Sequence, residues 1–174
     1  MYRTHTCGEL TASDIGKTIT LSGWVNSRRD HGGLIFIDLR DRWGLTQCTF
    51  DPKSAADAWK AAEDVRSEFV LQIEGEVRAR PEDMINPKLG TGEIEILVKT
   101  VTILSTSKTP PFEVNKDTSP VNEELRLKYR YLDLRSEKLK KNLLLRHKSI
   151  KFIRDFLDKE EFLEIQTPIL TKST

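Results

Sequence analysis

The side chains best suited to chemistry lie in the segment 28–41, where two arginines and a Gly-Gly turn precede an apolar strand. Side chains of a strand alternate between its two faces, so the aliphatic residues Ile35, Ile37 and Leu39 would share one face and Phe36 the other. The all-aliphatic face is the better core face, which leaves Phe36 pointing outward beside charged neighbours. Such a ring can stack on a nucleobase. It could equally cover a small apolar cluster beneath a loop.

The same alternation, applied to the other predicted strands, gathers polar side chains on the face of Phe36. Rings and guanidinium planes stack on unpaired bases, while amides and carboxylates hydrogen-bond to Watson–Crick edges. Each charged residue alone could belong to a solvated face with ion pairs of little net value, but the combination favours single-stranded nucleic acid. The residues predicted to face outward are Trp24, Asn26, Arg28, Phe36, Asp38, Leu45, Gln47, Thr49, Arg78, Arg80, Glu93 and Glu95, with Arg29 just beyond.

Other catalytic or metal-binding chemistry is not indicated. The histidines His5, His31 and His147 are scattered, and Cys7 and Cys48 lack the spacing of metal ligands. There is no phosphate-binding P-loop motif. We therefore expect no metal site and no catalytic residues in this sequence, and we expect the two cysteines to be buried or incidental thiols.

Composition limits the kind of partner. The 174 residues carry 28 Lys and Arg against 27 Asp and Glu, a net charge of +1. This balance argues against binding through a broad basic surface, so any nucleic-acid binding should come from a local site. The sequence has no apolar run long enough to span a bilayer and no signal-peptide core. A cytoplasmic location, with no membrane partner, is the resulting expectation.

A mainly β domain is predicted for residues 1–105. It contains five short strands, and Gly23 is expected to form a β-bulge in the first. The alanine-rich stretch 54–65 predicts a helix between the third and fourth strands. This order is typical of an OB fold, a small barrel that binds oligonucleotides across its open face. The strands are predicted at residues 18–27, 34–40, 45–50, 69–80 and 93–104.

The remainder of the chain is predicted to differ from the barrel. Residues 106–135 contain three prolines and are expected to form a linker or hinge, with a helical stretch at 122–131. Residues 136–174 are expected to begin a second, α+β domain. They contain a helix with an apolar stripe at 138–159 and a short strand at 162–170. One helix and one strand cannot close a core, so we interpret the chain as the front piece of a longer protein.

Five segments of the chain resemble the amino-terminal part of bacterial aspartyl-tRNA synthetases, which are class II aminoacyl-tRNA synthetases. The resemblance implies that the full-length protein activates aspartate with ATP and Mg²⁺ and transfers it to the terminal adenosine of tRNA. The barrel would bind the anticodon. The catalytic motifs 2 and 3 of the family lie beyond Thr174, so this chain alone is expected to be inactive. The segments are 7–10, 21–25, 28–41 with Gly44 and Gln47, 126–135, and 162–170.

The resemblance also implies roles for single residues. Phe36 matches the ring that stacks on the central anticodon uridine, and Gln47 matches an amide that hydrogen-bonds nearby. Residues 162–170 resemble motif 1 of class II enzymes, which implies that Phe162 and Pro168 belong to a homodimer interface. Thr49 and Met84 stand where some relatives have an aromatic residue and an asparagine. Together with the face deduced above, the predicted anticodon-binding residues are Arg28, Arg29, Phe36, Gln47, Arg78, Arg80, Asn86 and Glu95.

The implied partner is tRNA(Asp), with tRNA(Asn) as a second partner left open, rather than DNA. An asparaginyl- or lysyl-tRNA synthetase is an alternative with a similar barrel, although the Arg-Arg-Asp-His-Gly-Gly string at 28–33 argues against both. A free-standing OB-fold module for single-stranded nucleic acid is a second alternative. A protein-binding adaptor is a third, and it would require the outward face to be covered by protein.

Overall fold

The computed structural model describes residues 2–170, which divide into two compact units between Pro110 and Pro111. The first unit contains the five strands found among the described residues: β1 (Thr18–His31), β2 (Leu34–Arg40), β3 (Leu45–Phe50), β4 (Val70–Ala79) and β5 (Ile94–Ser105). They close into a barrel in the order β1-β2-β3-β5-β4. The β3–β5 pair is parallel and the other four pairs are antiparallel. The predicted OB-fold barrel is therefore confirmed.

Strict alternation in the strands builds the barrel core. In β2, Ile35, Ile37 and Leu39 are buried, whereas Phe36 and Asp38 are half-buried on the other face. The helix α1 (Ala56–Glu63) lies between β3 and β4, as predicted, and is shorter than the predicted 54–65. Its Ala58 and Ala62 pack into the core, and its Trp59 donates a hydrogen bond to the Gly33 carbonyl at 2.9 Å. The helix thereby fastens the Gly-Gly turn that joins β1 and β2.

The bulge in β1 is not at Gly23, contrary to the prediction. Gly23 pairs in register with Leu71, and glycine is needed there because a Cβ would lie 2.5 Å from the Arg40 carbonyl oxygen. The register instead shifts between Val25 and Ser27. One extra residue in a strand moves all later side chains to the opposite face. The shift therefore decides which side chains after the bulge point outward.

Both cysteines are buried free thiols in the barrel unit. Burial raises the pKa of each thiol, and the Asp41 carboxylate raises that of Cys7 further. The Cys7 backbone holds the amino-terminal segment against the barrel, because its N–H donates to Asp41 and its carbonyl accepts from Thr46. These thiols serve packing rather than reactivity.

The second unit is helical in the described part of the chain, with α2 (Glu123–Lys128), α3 (Arg130–Asp133) and α4 (Glu137–Lys159). Asn122 caps α2 through its side-chain oxygen. The fully buried carboxylate of Asp133 accepts hydrogen bonds from Thr118 and Arg130, at 2.7 and 2.8 Å. The predicted linker thus contains two short helices and a buried polar network.

The strand predicted at residues 162–170 is wrong. These residues are exposed and form neither helix nor strand. An isolated strand is not stable without a hydrogen-bonded neighbour, and the described residues of this unit supply no strand to pair with it. The preceding helix α4 begins within one residue of the predicted start and ends at the predicted residue, but its apolar stripe is exposed. No helix in residues 2–170 combines the length and apolarity needed to cross a membrane.

Candidate nucleic-acid interface

A row of polar side chains crosses the outer face of the barrel. Ser27 on β1 stands opposite Asp38 on β2, and Asp38 stands opposite Gln47 on β3. Glu95 on β5 stands opposite Arg78 on β4, and Gln47 is hydrogen-bonded to Glu95. We call these five residues the polar row. All five strands of the barrel contribute one member each.

Hydrogen bonds fix the carboxylates and the amide of the polar row. The hydroxyl of Ser27 donates to Asp38. The amide nitrogen of Gln47 donates to Oε2 of Glu95 at 2.9 Å, and the hydroxyl of Thr49 donates to the same oxygen at 2.7 Å. The other Glu95 oxygen has no hydrogen-bond partner among the described residues. Glu95 is therefore held firmly and retains an acceptor for a ligand.

Phe36 and Arg29 stand beside the polar row. They are opposite each other across β1 and β2, and Phe36 is half-exposed. The Arg29 guanidinium donates to both Asp38 oxygens at 3.0 and 3.2 Å and to the Gln47 oxygen at 3.2 Å. Because the Gln47 oxygen accepts from Arg29 while its nitrogen donates to Glu95, the orientation of the amide is determined. The site presents a ring next to a pre-oriented set of donors and acceptors.

Arg80 adds a buried cation to this site. The residue is 8% exposed, and its Nε donates to the Ile94 carbonyl at 2.9 Å. Burial lowers the pKa of Arg80, while the nearby carboxylates of Glu95 and Asp38 act to raise it. Its Nη2 is buried without a hydrogen-bond partner in the part of the chain described. A buried unsatisfied donor costs about 1–3 kcal/mol.

Comparisons with known proteins match both parts of the chain. Residues 19–104 match the family model described as OB-fold nucleic acid binding domain, and residues 122–174 match the model of class II tRNA synthetases (D, K and N). The chain is 55% identical over all 174 residues to the Aspartate–tRNA(Asp/Asn) ligase of Desulfatibacillum aliphaticivorans. It is 59% identical over 172 residues, 99% of its length, to the ligase of the same name from Protochlamydia amoebophila.

The chain belongs to the aspartate–tRNA ligase family. It spans 29% of the length of each of these two relatives. Among solved structures, a putative aspartyl-tRNA synthetase from Leishmania major is similar, with a TM-score of 0.82 and 25% identity over 95% of this chain and 34% of that one. The asparaginyl-tRNA synthetase of Pyrococcus horikoshii has a TM-score of 0.82 at 24% identity, covering 97% of this chain and 37% of that one, which shows the shared fold.

Two residues predicted for anticodon binding in this family member are not on the strand face that carries the polar row. Arg28 stands opposite the buried Ile37, on the core side of β1, and its Nε donates to the Ala62 carbonyl at 3.0 Å. The β1 bulge causes this difference, because alternation without it would turn Arg28 outward. Asn86 lies in the loop between β4 and β5, where its side-chain oxygen accepts from the Lys88 backbone at 3.1 Å. The structure brings together the other six: Arg29, Phe36, Gln47, Arg78, Arg80 and Glu95.

Three supporting residues of the site were given no role from the sequence. Asp38 and Thr49 were expected to face outward, but their hydrogen bonds to Arg29 and Glu95 depend on cross-strand neighbours that one strand does not reveal. Ser27 was not among the residues predicted to face outward, because regular alternation assigned its neighbours Asn26 and Arg28 to that face.

The residues assigned to motif 1 lie beyond α4. The backbone N–H of Phe162 donates to the Leu157 carbonyl at 3.0 Å, and its side chain is 65% exposed. Pro168 lies in the exposed irregular segment.

Within residues 2–170, no three His, Cys, Asp or Glu side chains are grouped so that they could hold a metal ion.

Proposed function

We propose that the full-length protein is an aspartate–tRNA ligase and that residues 1–105 form its anticodon-binding domain. The polar row beside the half-exposed ring of Phe36 is the observation that carries this proposal, since it combines a stacking platform with fixed hydrogen-bonding groups. The relatives named as ligases of tRNA(Asp/Asn) support the same activity. The partners would be tRNA(Asp) and, as in the names of those relatives, tRNA(Asn).

The order of donors and acceptors favours the central uridine as the base that is bound. The Watson–Crick edge of uridine presents an N–H donor between two carbonyl acceptors. Glu95 offers an acceptor for that N–H, and the cationic Arg80 and Arg29 lie on the same face as donors for the carbonyls. Cytidine would present an unprotonated ring nitrogen to the carboxylate, which is repulsive. The ring of Phe36 would contribute stacking of roughly 1–3 kcal/mol.

The proposed binding residues are those gathered at the polar row, with Arg78 supplying charge and Asn86 acting from the β4–β5 loop. Arg28 is not included, because its guanidinium is engaged on the core side of β1. Residues 106–135 would connect the barrel to a class II catalytic domain beginning at 136. In that domain Phe162 and Pro168 would contribute to a homodimer interface.

The catalytic reaction would activate aspartate with ATP and Mg²⁺ in the cytoplasm and then esterify the tRNA. We propose that the full-length protein binds ATP and Mg²⁺ through the class II motifs 2 and 3, which supply these groups in the family that the chain resembles. The part played by the 174 residues is to bind and orient the anticodon.

The test is binding of the 174-residue chain to the anticodon stem-loop of tRNA(Asp). We expect the stem-loop with a central cytidine to bind at least about tenfold more weakly than the natural one, since one lost base contact costs about 1–3 kcal/mol. Equal affinity for the two RNAs would refute recognition of the central base. Equal affinity for a single-stranded DNA of the same loop sequence would favour a general OB-fold module instead.

An asparaginyl- or lysyl-tRNA synthetase is the second candidate function. The class II family model covers all three specificities, but the relatives of 53–59% identity are named aspartate ligases. Aminoacylation assays of the full-length protein with aspartate, asparagine and lysine distinguish the three. The same assay with tRNA(Asp) and tRNA(Asn) defines how many tRNAs are charged.

A further inference from the structure

The β1 bulge determines which arginine reaches the polar row. Up to Val25, the even-numbered residues of β1 face outward; from Ser27 onward, the odd-numbered residues do. Arg29 therefore stands opposite Phe36, and Arg28 stands opposite the buried Ile37. A strand without the shift would place Arg28 opposite Phe36 and turn Arg29 toward the core. Bulges re-aim side chains in this way at functional surfaces.

A polar network outside the polar row holds the bulge. The side-chain oxygen of Asn26, the residue at the shift, accepts a hydrogen bond from Nη1 of Arg40 at 2.9 Å. Nη2 of the same guanidinium donates to both oxygens of Glu68, at 2.8 and 3.1 Å. The Glu68 side chain is 5% exposed and that of Arg40 is 19% exposed. This bidentate pair fixes the guanidinium in the orientation that reaches Asn26.

The backbone at Glu68 holds the strand immediately before the shift. The N–H of Glu68 donates to the Val25 carbonyl, and the N–H of Val25 donates to the Phe69 carbonyl, both at 2.9 Å. Glu68 has a φ of +66°, a conformation that non-glycine residues rarely adopt. Such strain persists only where surrounding contacts impose it, and it concentrates at functional sites. The backbone of Glu68 thus holds Val25, and its side chain holds Asn26 through Arg40. One residue therefore fixes both residues at the register shift.

We propose that Glu68 and Arg40 are positioning residues for RNA binding, because they hold the bulge at Asn26 and so keep Arg29, rather than Arg28, over the polar row. Neither residue needs to touch the RNA. The consequence for RNA rests on the proposed function, whereas the effect on strand register does not. Experiments can therefore refute the effect on strand register and the effect on RNA binding separately.

The first experiment is a double-mutant cycle in the 174-residue chain. We expect E68Q to weaken binding of the anticodon stem-loop about fivefold and R29Q about tenfold, typical of one lost charged contact. The double variant should be no worse than R29Q within about twofold, because the cycle isolates coupling between the two residues. The exposed Glu74 on β4 supplies the matched control, and E74Q should leave affinity unchanged. Additive losses of about fiftyfold would overturn the positioning role.

Deletion of Asn26 gives a second, independent test. A shorter β1 would pass from Val25 directly to Ser27 in regular alternation, so Arg29 would face outward without help from the network. We expect this deletion to retain RNA affinity and to make E68Q harmless. If E68Q still weakens binding in the deletion background, Glu68 acts through general stability and the inference is wrong. R40K serves in place of E68Q if the latter does not fold.

Strand register is measured without RNA. NMR contacts across β1 and β2 should join Arg29 to Phe36 in the native chain and shift toward Arg28 and Phe36 in E68Q. Unchanged contacts would overturn the inference whatever the RNA data show. Shifted contacts with unchanged RNA affinity would support the role in register and would refute the role of Glu68 and Arg40 in RNA binding.

Discussion

Replacement of Phe36 by alanine tests the stacking platform directly. The substitution removes the ring but none of the hydrogen bonds that join Arg29, Asp38, Gln47 and Glu95, since no bond in that set involves Phe36. The loss should therefore equal the stacking contribution, roughly 1–3 kcal/mol per base. At 1.4 kcal/mol per tenfold, this corresponds to a rise in Kd of about 5- to 150-fold.

The fold should tolerate this change. Phe36 is half-exposed and lies outside the barrel core, so the loss of stability should stay well below the ~3–5 kcal/mol of a fully buried phenylalanine. Fluorescence anisotropy with a labelled anticodon stem-loop measures Kd at one fixed salt concentration, because phosphate contacts make affinity salt-dependent. Thermal unfolding of the same samples verifies that the barrel remains folded.

Two control variants separate stacking from general apolar contact. F36L keeps apolar volume without a flat ring and should bind with intermediate affinity. F152A removes an exposed phenylalanine from the second unit and should bind like the native chain. An affinity of folded F36A within twofold of the native value would refute the stacking role. Equal losses in F36A and F152A would show that the effect is not specific to this face.

Three further predictions concern the site and the barrel that supports it. Q47E places a second carboxylate against Glu95, to which the Gln47 amide now donates a hydrogen bond at 2.9 Å. It should weaken binding of the stem-loop more than tenfold, and unchanged binding would contradict the proposed geometry. G23A should lower the free energy of urea unfolding by more than about 2 kcal/mol, because its Cβ would meet the Arg40 carbonyl, whereas G90A, with open space around it, should be neutral. Equal midpoints for the two would refute the close approach. Burial raises the pKa of both cysteine thiols, so a thiol reagent at pH 8 should modify them only after unfolding, and rapid labelling of the native protein would contradict their burial.

Strand alternation predicted much of the site, because the period of two is a property of the backbone itself. It placed Phe36, Gln47 and Glu95 on one face, and the structure agrees. It failed after Val25, where a single extra residue reverses the faces. That reversal depends on Arg40, on the neighbouring strand β2, and on Glu68, which is distant from β1 in the sequence and meets it only where β4 pairs with β1.

The second unit shows a different limit of prediction. Asn122 and the helix it caps were predicted from residues adjacent in sequence, and both form. The segment 162–170 has the composition of a strand, but composition does not provide the hydrogen-bonding partner that a strand requires. In the barrel every predicted strand has two neighbours, and each of them forms.

The central claim is that Phe36 and the polar row bind the central base of the anticodon. A stem-loop carrying 4-thiouridine at that position, irradiated in complex with the 174-residue chain and mapped by mass spectrometry, tests this claim most directly. We predict crosslinks within β2 and β3, at residues 34–50, that disappear when unlabelled native stem-loop competes. Crosslinks confined to residues 111–170, or spread evenly over the chain, would contradict it.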